Sequence, residues 1–587
     1  MADLDLPRPV SQPIAGPLDG AFWDAIEADF RRLIDVHPIY ATYMGIHDGD
    51  GRLDNGSRDA VEQDIADAKK LGRALEAIDP AGLSESVRFE RELAIHNVRR
   101  ALFDLDIHRV WERRSTAMDM VGDALFSVFA RDYAPLSDRL AALTSRMEAI
   151  PAALEQHRTR ATAPQVRLWQ ELEIDAGEQM PFLFKEIQAA GAGVLGERGK
   201  ARLDKAVETA SAAVASYIDT IKSGMGSTVE EWALGSESYD QLVGRRAFDG
   251  LDASQILEIG QQQLALNKAA RVEDARRIDP GVEERVVVDR VKSNHPATFE
   301  EALASYKDAM NRARAHIVEH GIATLPPGEQ ISVIPTPEYL RTVVPFAAYF
   351  EPPKFDKHPS GIYIVTPSVG DDPNAMREHN YASISNTSVH EAYPGHHLQL
   401  SAAIRHPSLV RLLTDAPEFV EGWGMYSEQM MREQGFDAGP EFLLAMHTDA
   451  IWRACRIILD VRMHRGELSV DEATAFLIEH TAFEHANAQA EVFRYTYTPT
   501  YQLSYLLGKV LLLQLRADEQ RRMGDRFSLK DFHDTLLRNG SLPISFQRRL
   551  LAGAARGAAG AAGGVAGGAA GAAGAASGAA AVRASDG

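Results

Sequence analysis

The chain has 587 residues, 83 of them Asp or Glu against 62 Lys or Arg, for a formal net charge of −21. With 45% hydrophobic and 25% charged residues it has a globular composition, which excludes a disordered, collagenous or membrane-spanning class for most of its length. Its Arg pairs lie scattered among acids, so no basic surface for nucleic acid is expected, and the single cysteine, Cys455, excludes an intramolecular disulfide or a multi-cysteine zinc site.

Residues 1–20 are Pro-rich and aperiodic and read as an N-terminal extension. Met1 to Pro7 has neither the basic segment nor the apolar run of a secretory signal, so the expectation is a cytoplasmic protein without membrane contact. Phe22, Ile26, Phe30, Leu33 and Ile34 then repeat at helical spacing until His37-Pro38 ends the run. Similar faces over Val87–Phe103, Leu140–Ile150 and Lys200–Ile221 predict a first lobe, about 21–325, of helices packed on helices. Ile331–Ile334, Ala347–Phe350 and Gly361–Val365 are short β-rich runs bounded by prolines and predict a small sheet. Helical period returns after Ile384 and continues through Glu441–Met463, Val470–His480 and Leu503–Arg516, so the sheet is an inset in a second lobe of about 326–550. From Leu551 onward almost every residue is Ala or Gly, too little bulk to offset the entropy of ordering, and 551–587 reads as a disordered tail.

The stretch that carries chemistry is Ser388-Val389-His390-Glu391-Ala392-Tyr393-Pro394-Gly395-His396-His397-Leu398-Gln399. In an H-E-x-x-H zinc motif two imidazoles one helical turn apart reach one metal, and the Glu beside the first acts on the metal's water. Here the position of the second imidazole is Pro394, which cannot ligate. On a straight helix His396 would lie about 120° around from His390, and His397 about 10.5 Å up the axis. A break at Pro394-Gly395 removes the difficulty: Pro lacks an N–H, Gly permits unusual dihedrals, and a two-residue insertion carries His396 back to the ligand position. A carboxylate is the expected third ligand, with Glu421 of Glu421-Gly422-Trp423-Gly424-Met425-Tyr426 as first candidate and Glu428 in reserve. Cys455 reads as core, and His480, His485 and Glu484 as polar residues near the site rather than a second metal cluster.

These motifs resemble the hallmark of the bacterial family called domain of unknown function 885, a set of candidate zinc-dependent peptidases. Arg453, Arg456, Asp460 and His464 follow in the family's order, as do Glu491, Arg494-Tyr495, Pro499, Ser504-Tyr505 and Gly508, then Asp531-Phe532-His533-Asp534 and Gly540-Ser541-Leu542-Pro543. The likeness spans roughly 20–550, with specific motifs confined to 380–545. Pro499-Thr500-Tyr501-Gln502 departs from the family's Pro-Gly-Gln and resembles the Pro-Thr-Tyr segment of the carboxypeptidase Taq family. The overall plan is distantly similar to the oligopeptidase and angiotensin-converting-enzyme families.

The resemblance implies a mainly α fold, a two-lobed helical shell around a deep channel with the sheet beside the metal helix. It implies Zn²⁺ held by His390, His396 and Glu421, with His397 behind them and Glu391 as general base. Tyr505 is the expected oxyanion donor, with Arg494 as the alternative there or as a fork for a substrate carboxylate. Tyr495, Tyr497, Tyr501 and Tyr505 read equally as an aromatic packing stripe, or with Tyr501 on the substrate. If Gly361–Val365 is an edge strand, Gly361 and Tyr363 would align an extended peptide by strand addition. The expected function is a zinc-dependent hydrolase of short peptides. The alternatives are an inactive peptide-binding shell and a hydrolase of non-peptide amides.

Overall fold

Phe22, Trp23, Ile26, Phe30 and Ile34 form the buried stripe of a helix over Asp19–Val36, which stops at His37 because Pro38 opens the next one. The computed structural model describes residues 16–337, 341, 344, 346–367 and 375–553. The faces read further along the chain become helices over Glu85–Leu102, Leu136–Arg160 and Glu197–Gly224. In the C-terminal half they become Pro440–His464, Val470–Thr481 and Leu506–Met523. The Val470–Thr481 helix starts at a reciprocal Ser469/Glu472 capping box. The fold is mainly α with one small sheet.

Three strands make the sheet: β1 (Ile331–Pro335), β2 (Ala347–Phe350) and β3 (Gly361–Val365). Their order is β1-β3-β2, with β3 parallel to β1 and antiparallel to β2. This corrects the expectation that β3 is an open edge, since both its edges are already paired. The reason is legible in its residues: Gly-Ile-Tyr-Ile-Val has no polar face, the pattern of a strand covered on both sides, and all five residues are buried.

The apolar core divides into clusters. The largest runs from Tyr239 to Leu551 and includes Val333, Tyr363, Val389, Trp423 and Leu507. The helices Ala253–Ile278 and Phe299–Glu319 contribute to this same cluster, and Phe299–Glu319 packs against β1. A second cluster gathers Ala117–Ile218, and a third joins Phe22–Ala94 to Leu409, Val410, Leu542 and Phe546. The described residues end in a helix over 544–553, in which Leu551 is buried. The first fifteen residues and 554–587, most of the expected extension and tail, lie outside the described residues.

Candidate metal centre

Asn380 opens the helix Tyr381–Glu391 by accepting a hydrogen bond from Ser383 N at 2.9 Å, and His390 and Glu391 form its last turn. The helix then bulges and resumes as His396–Ala403. Gly395 N donates to Val389 O at 3.0 Å and Leu398 N to Ala392 O at 3.3 Å, each reaching back six residues instead of four. Two extra residues are thus absorbed. Gly395 is required, because a Cβ there would stand 1.8 Å from the His390 carbonyl oxygen. Trp423 Nε1 pins the bulge by donating to Pro394 O at 2.7 Å.

The helix Pro417–Glu433 supplies the carboxylate, and the two glycines after Glu421 each have a steric task. A Cβ on Gly422 would lie 2.6 Å from the Gly508 backbone, so this pair lets the helix cross Leu506–Met523 closely. Gly424 leaves room for the His390 ring, which a Cβ would approach to 2.7 Å.

The bulge brings the imidazoles of His390 and His396 together, ring centroids 4.7 Å apart and nearly perpendicular. Glu421 Oε2 lies 3.6 Å from His390 Nε2 and 3.4 Å from His396 Nε2. These separations are long for hydrogen bonds. Ligand atoms about 2.0–2.1 Å from a tetrahedral zinc stand roughly 3.3–3.5 Å apart, so the spacing suits three ligands of one ion. Among the described residues these three form the only such group of His, Cys, Asp and Glu.

The surroundings agree with the fit. His390 Nδ1 lies 2.7 Å from Glu428 Oε1, which fixes the ring so that Nε2 faces inward. Glu428 thus stands behind the His390 imidazole and outside the group of three, and Asn386 Nδ2 donates to both its Oε2 and Asp449 Oδ2. Burial disfavours a charged His390, but the Glu421 and Glu428 carboxylates outweigh it and lift the imidazole to about 10. Burial likewise opposes ionisation of Glu421, yet the two imidazoles hold it well below its usual range. Several acids focused on two imidazoles leave room for a divalent cation.

His397 is fully buried and turns away: Nε2 sits 2.9 Å from Glu329 Oε2 and Nδ1 2.8 Å from Tyr349 OH. Tyr349 belongs to β2, so this imidazole ties the metal loop to the sheet. Gly361 seats that phenol, since a Cβ would lie 2.2 Å from the Tyr349 oxygen. Tyr363 has no exposed surface. Both are buried in the central strand, so the structure does not present them to solvent as the expected peptide-aligning residues.

Tyr501 stands on the candidate ligand Glu421, donating to its Oε1 at 2.9 Å. Its ring meets Tyr505 edge-on at 5.9 Å. Burial first, and then the Glu421 charge, push the Tyr505 hydroxyl up. Arg494 Nη2 reaches both Glu491 oxygens, at 3.0 and 3.1 Å. Burial pushes the Glu391 carboxyl up against the imidazole charges of its neighbours.

Sequence reasoning missed the support of Tyr501. Thr500, at φ +65°, opens the short turn Tyr501–Ser504, and its N–H lies 2.9 and 3.1 Å from the Asp460 oxygens. Asp460 is wholly buried and also accepts from Tyr239 OH at 2.6 Å; burial lifts its carboxyl to about 7. A β-branched residue in the left-handed region gives no local sequence signal, so the clamp was invisible beforehand.

Residues 38–551 match the model of a family described as bacterial protein of unknown function, DUF885. The chain belongs to this family. No curated protein matches it. A putative lipoprotein of unknown function from Shewanella oneidensis shares the fold of this DUF885 chain at 23% identity and a TM-score of 0.75, covering 90% of this chain and 99% of its own. A putative lipoprotein from Colwellia psychrerythraea does so at 18% identity and 0.78, covering 91% and 98%. Both descriptions stand against the cytoplasmic expectation, which rested on the makeup of the first residues and on the single cysteine. No helix among the described residues is long and apolar enough to cross a membrane.

Proposed function

We propose that this DUF885 protein is a zinc-dependent hydrolase that cleaves peptide bonds in short peptides. The observation that carries the reading is the spacing of His390 Nε2, His396 Nε2 and Glu421 Oε2, too wide for bonds among themselves and suited to a shared dication. A Zn²⁺ held there supplies Lewis acidity, lowering the pKa of a water to ~7 and polarising a scissile carbonyl. Glu391, next to His390 with its carboxyl pushed up by burial, takes the proton from the attacking water and passes it to the departing amine. Tyr505, whose raised pKa keeps its proton in place, donates to the developing oxyanion. The peptide-aligning part expected of β3 passes to β2, the neighbouring edge strand tied to the metal loop through Tyr349 and His397. The description of both solved relatives as lipoproteins supports work outside the cytoplasm.

The test is hydrolysis of mixed peptides and small amides by the zinc-loaded protein and by Glu391→Gln. The variant is expected to keep one zinc per chain and to lose about 10²- to 10⁴-fold in kcat. A variant as active as the parent overturns the role of Glu391. Turnover of amides but not peptides overturns the substrate class.

A further inference from the structure

Arg456 and Arg494 share one carboxylate. Arg456 Nη2 donates to Glu491 Oε2 at 2.8 Å, and Arg494 Nη2 lies on the same carboxylate. Tyr495 OH also donates to it, at 2.7 Å, but brings no charge. Two fixed cations therefore face one anion.

The two cations differ in their surroundings. The Arg456 side chain is 4% exposed, its Nε points at Tyr495 OH at 3.2 Å, and its guanidinium lies 4.2 Å from the Trp452 ring and 4.7 Å from that of Tyr505. Its Nε and Nη2 are held and aromatic rings cover its guanidinium. Arg494 is 34% exposed, and its Nε and Nη1 have no protein partner among the described residues. Arg494 is thus the member of the pair that meets solvent with donors to spare.

Its position relates it to the metal centre. Arg494 meets Glu491, Glu491 accepts from Arg456, and the Arg456 guanidinium lies over the Tyr505 ring; Tyr505 adjoins Tyr501, whose hydroxyl holds Glu421. We infer that Arg494 binds a carboxylate of the substrate, either the C-terminal carboxylate of the peptide or an acidic side chain near the scissile bond. The inference rests on the hydrolase reading above and names what that site selects. A guanidinium with free N–H donors is the side chain best matched to a carboxylate, and a C-terminal source would make the enzyme a trimmer of carboxyl ends.

The experiment compares three N-acetylated peptides: one with a free C-terminus, its C-terminal amide, and that amide with a Glu beside the scissile bond. Binding to the zinc-free protein is read by calorimetry, and kcat/KM on the zinc-loaded protein. One of the two anionic peptides is expected to exceed the neutral amide by about 10- to 100-fold, and which one does so identifies the source. Arg494→Gln should abolish the preference with zinc content unchanged, and Arg494→Lys should retain part of it. Equal handling of all three peptides overturns the inference while leaving hydrolysis intact. Arg494-dependent binding of an anionic peptide without any turnover sustains it and overturns the hydrolase reading instead.

Discussion

Tyr501 holds one oxygen of Glu421 while the other faces the imidazoles of His390 and His396. The phenol fixes the carboxylate's rotation, and Asp460, through the Thr500 N–H, fixes the phenol. Such supporting bonds typically contribute about 10- to 100-fold in metal affinity. Tyr501→Phe is expected to weaken zinc binding by about that factor in chelator competition. Asp460→Asn replaces one acceptor oxygen by a donor and should weaken it similarly. If both act through one path, the double variant is little worse than either single one. Additive losses would separate the two residues.

Gly424→Ala puts a methyl group where the His390 imidazole lies, 2.7 Å from its nearest ring atom. Overpacking of this kind costs about 1–3 kcal/mol. The expected outcome is a folded protein with a lowered melting temperature and loss of zinc, since the ring must move off the common point. Retained zinc affinity would show that His390 is not held where the bulge places it.

How much of this was legible beforehand differs from element to element. The three strands were placed to within one residue because their runs are short, rich in β-branched or aromatic residues and bounded by prolines. Their order was not, because pairing partners leave no local trace; only the apolar composition of β3 hinted that it was central. His390, Glu391 and Glu421 stood out by residue type and spacing. That Gly395 permits the bulge was an inference from Pro394-Gly395, and the back-bonds from Gly395 and Leu398 supply its form. The supporting roles of Tyr349, Glu329 and Asp460 were not foreseen, because each acts from far along the chain on a residue already identified.

Far from the metal centre, His37 contacts Asp54 at 3.4 Å and Asp64 at 3.2 Å, and these two partners lift its pKa to about 9 from 6.5. The folded state binds this proton more tightly than the unfolded state. The stabilisation is therefore full below pH 6.5 and is lost as the pH rises through 9. Urea unfolding across that window should show falling stability, and His37→Gln should flatten the slope. An unchanged slope would remove His37 as its source.

The central claim concerns three side chains and one ion, and zinc-edge anomalous diffraction from a zinc-soaked crystal tests it most directly. One peak is expected, ~2.0–2.2 Å from His390 Nε2, His396 Nε2 and a Glu421 oxygen, with His397 still on Glu329 and Tyr349. A well-ordered protein with no peak there, or with the ion held by other residues, would contradict the account.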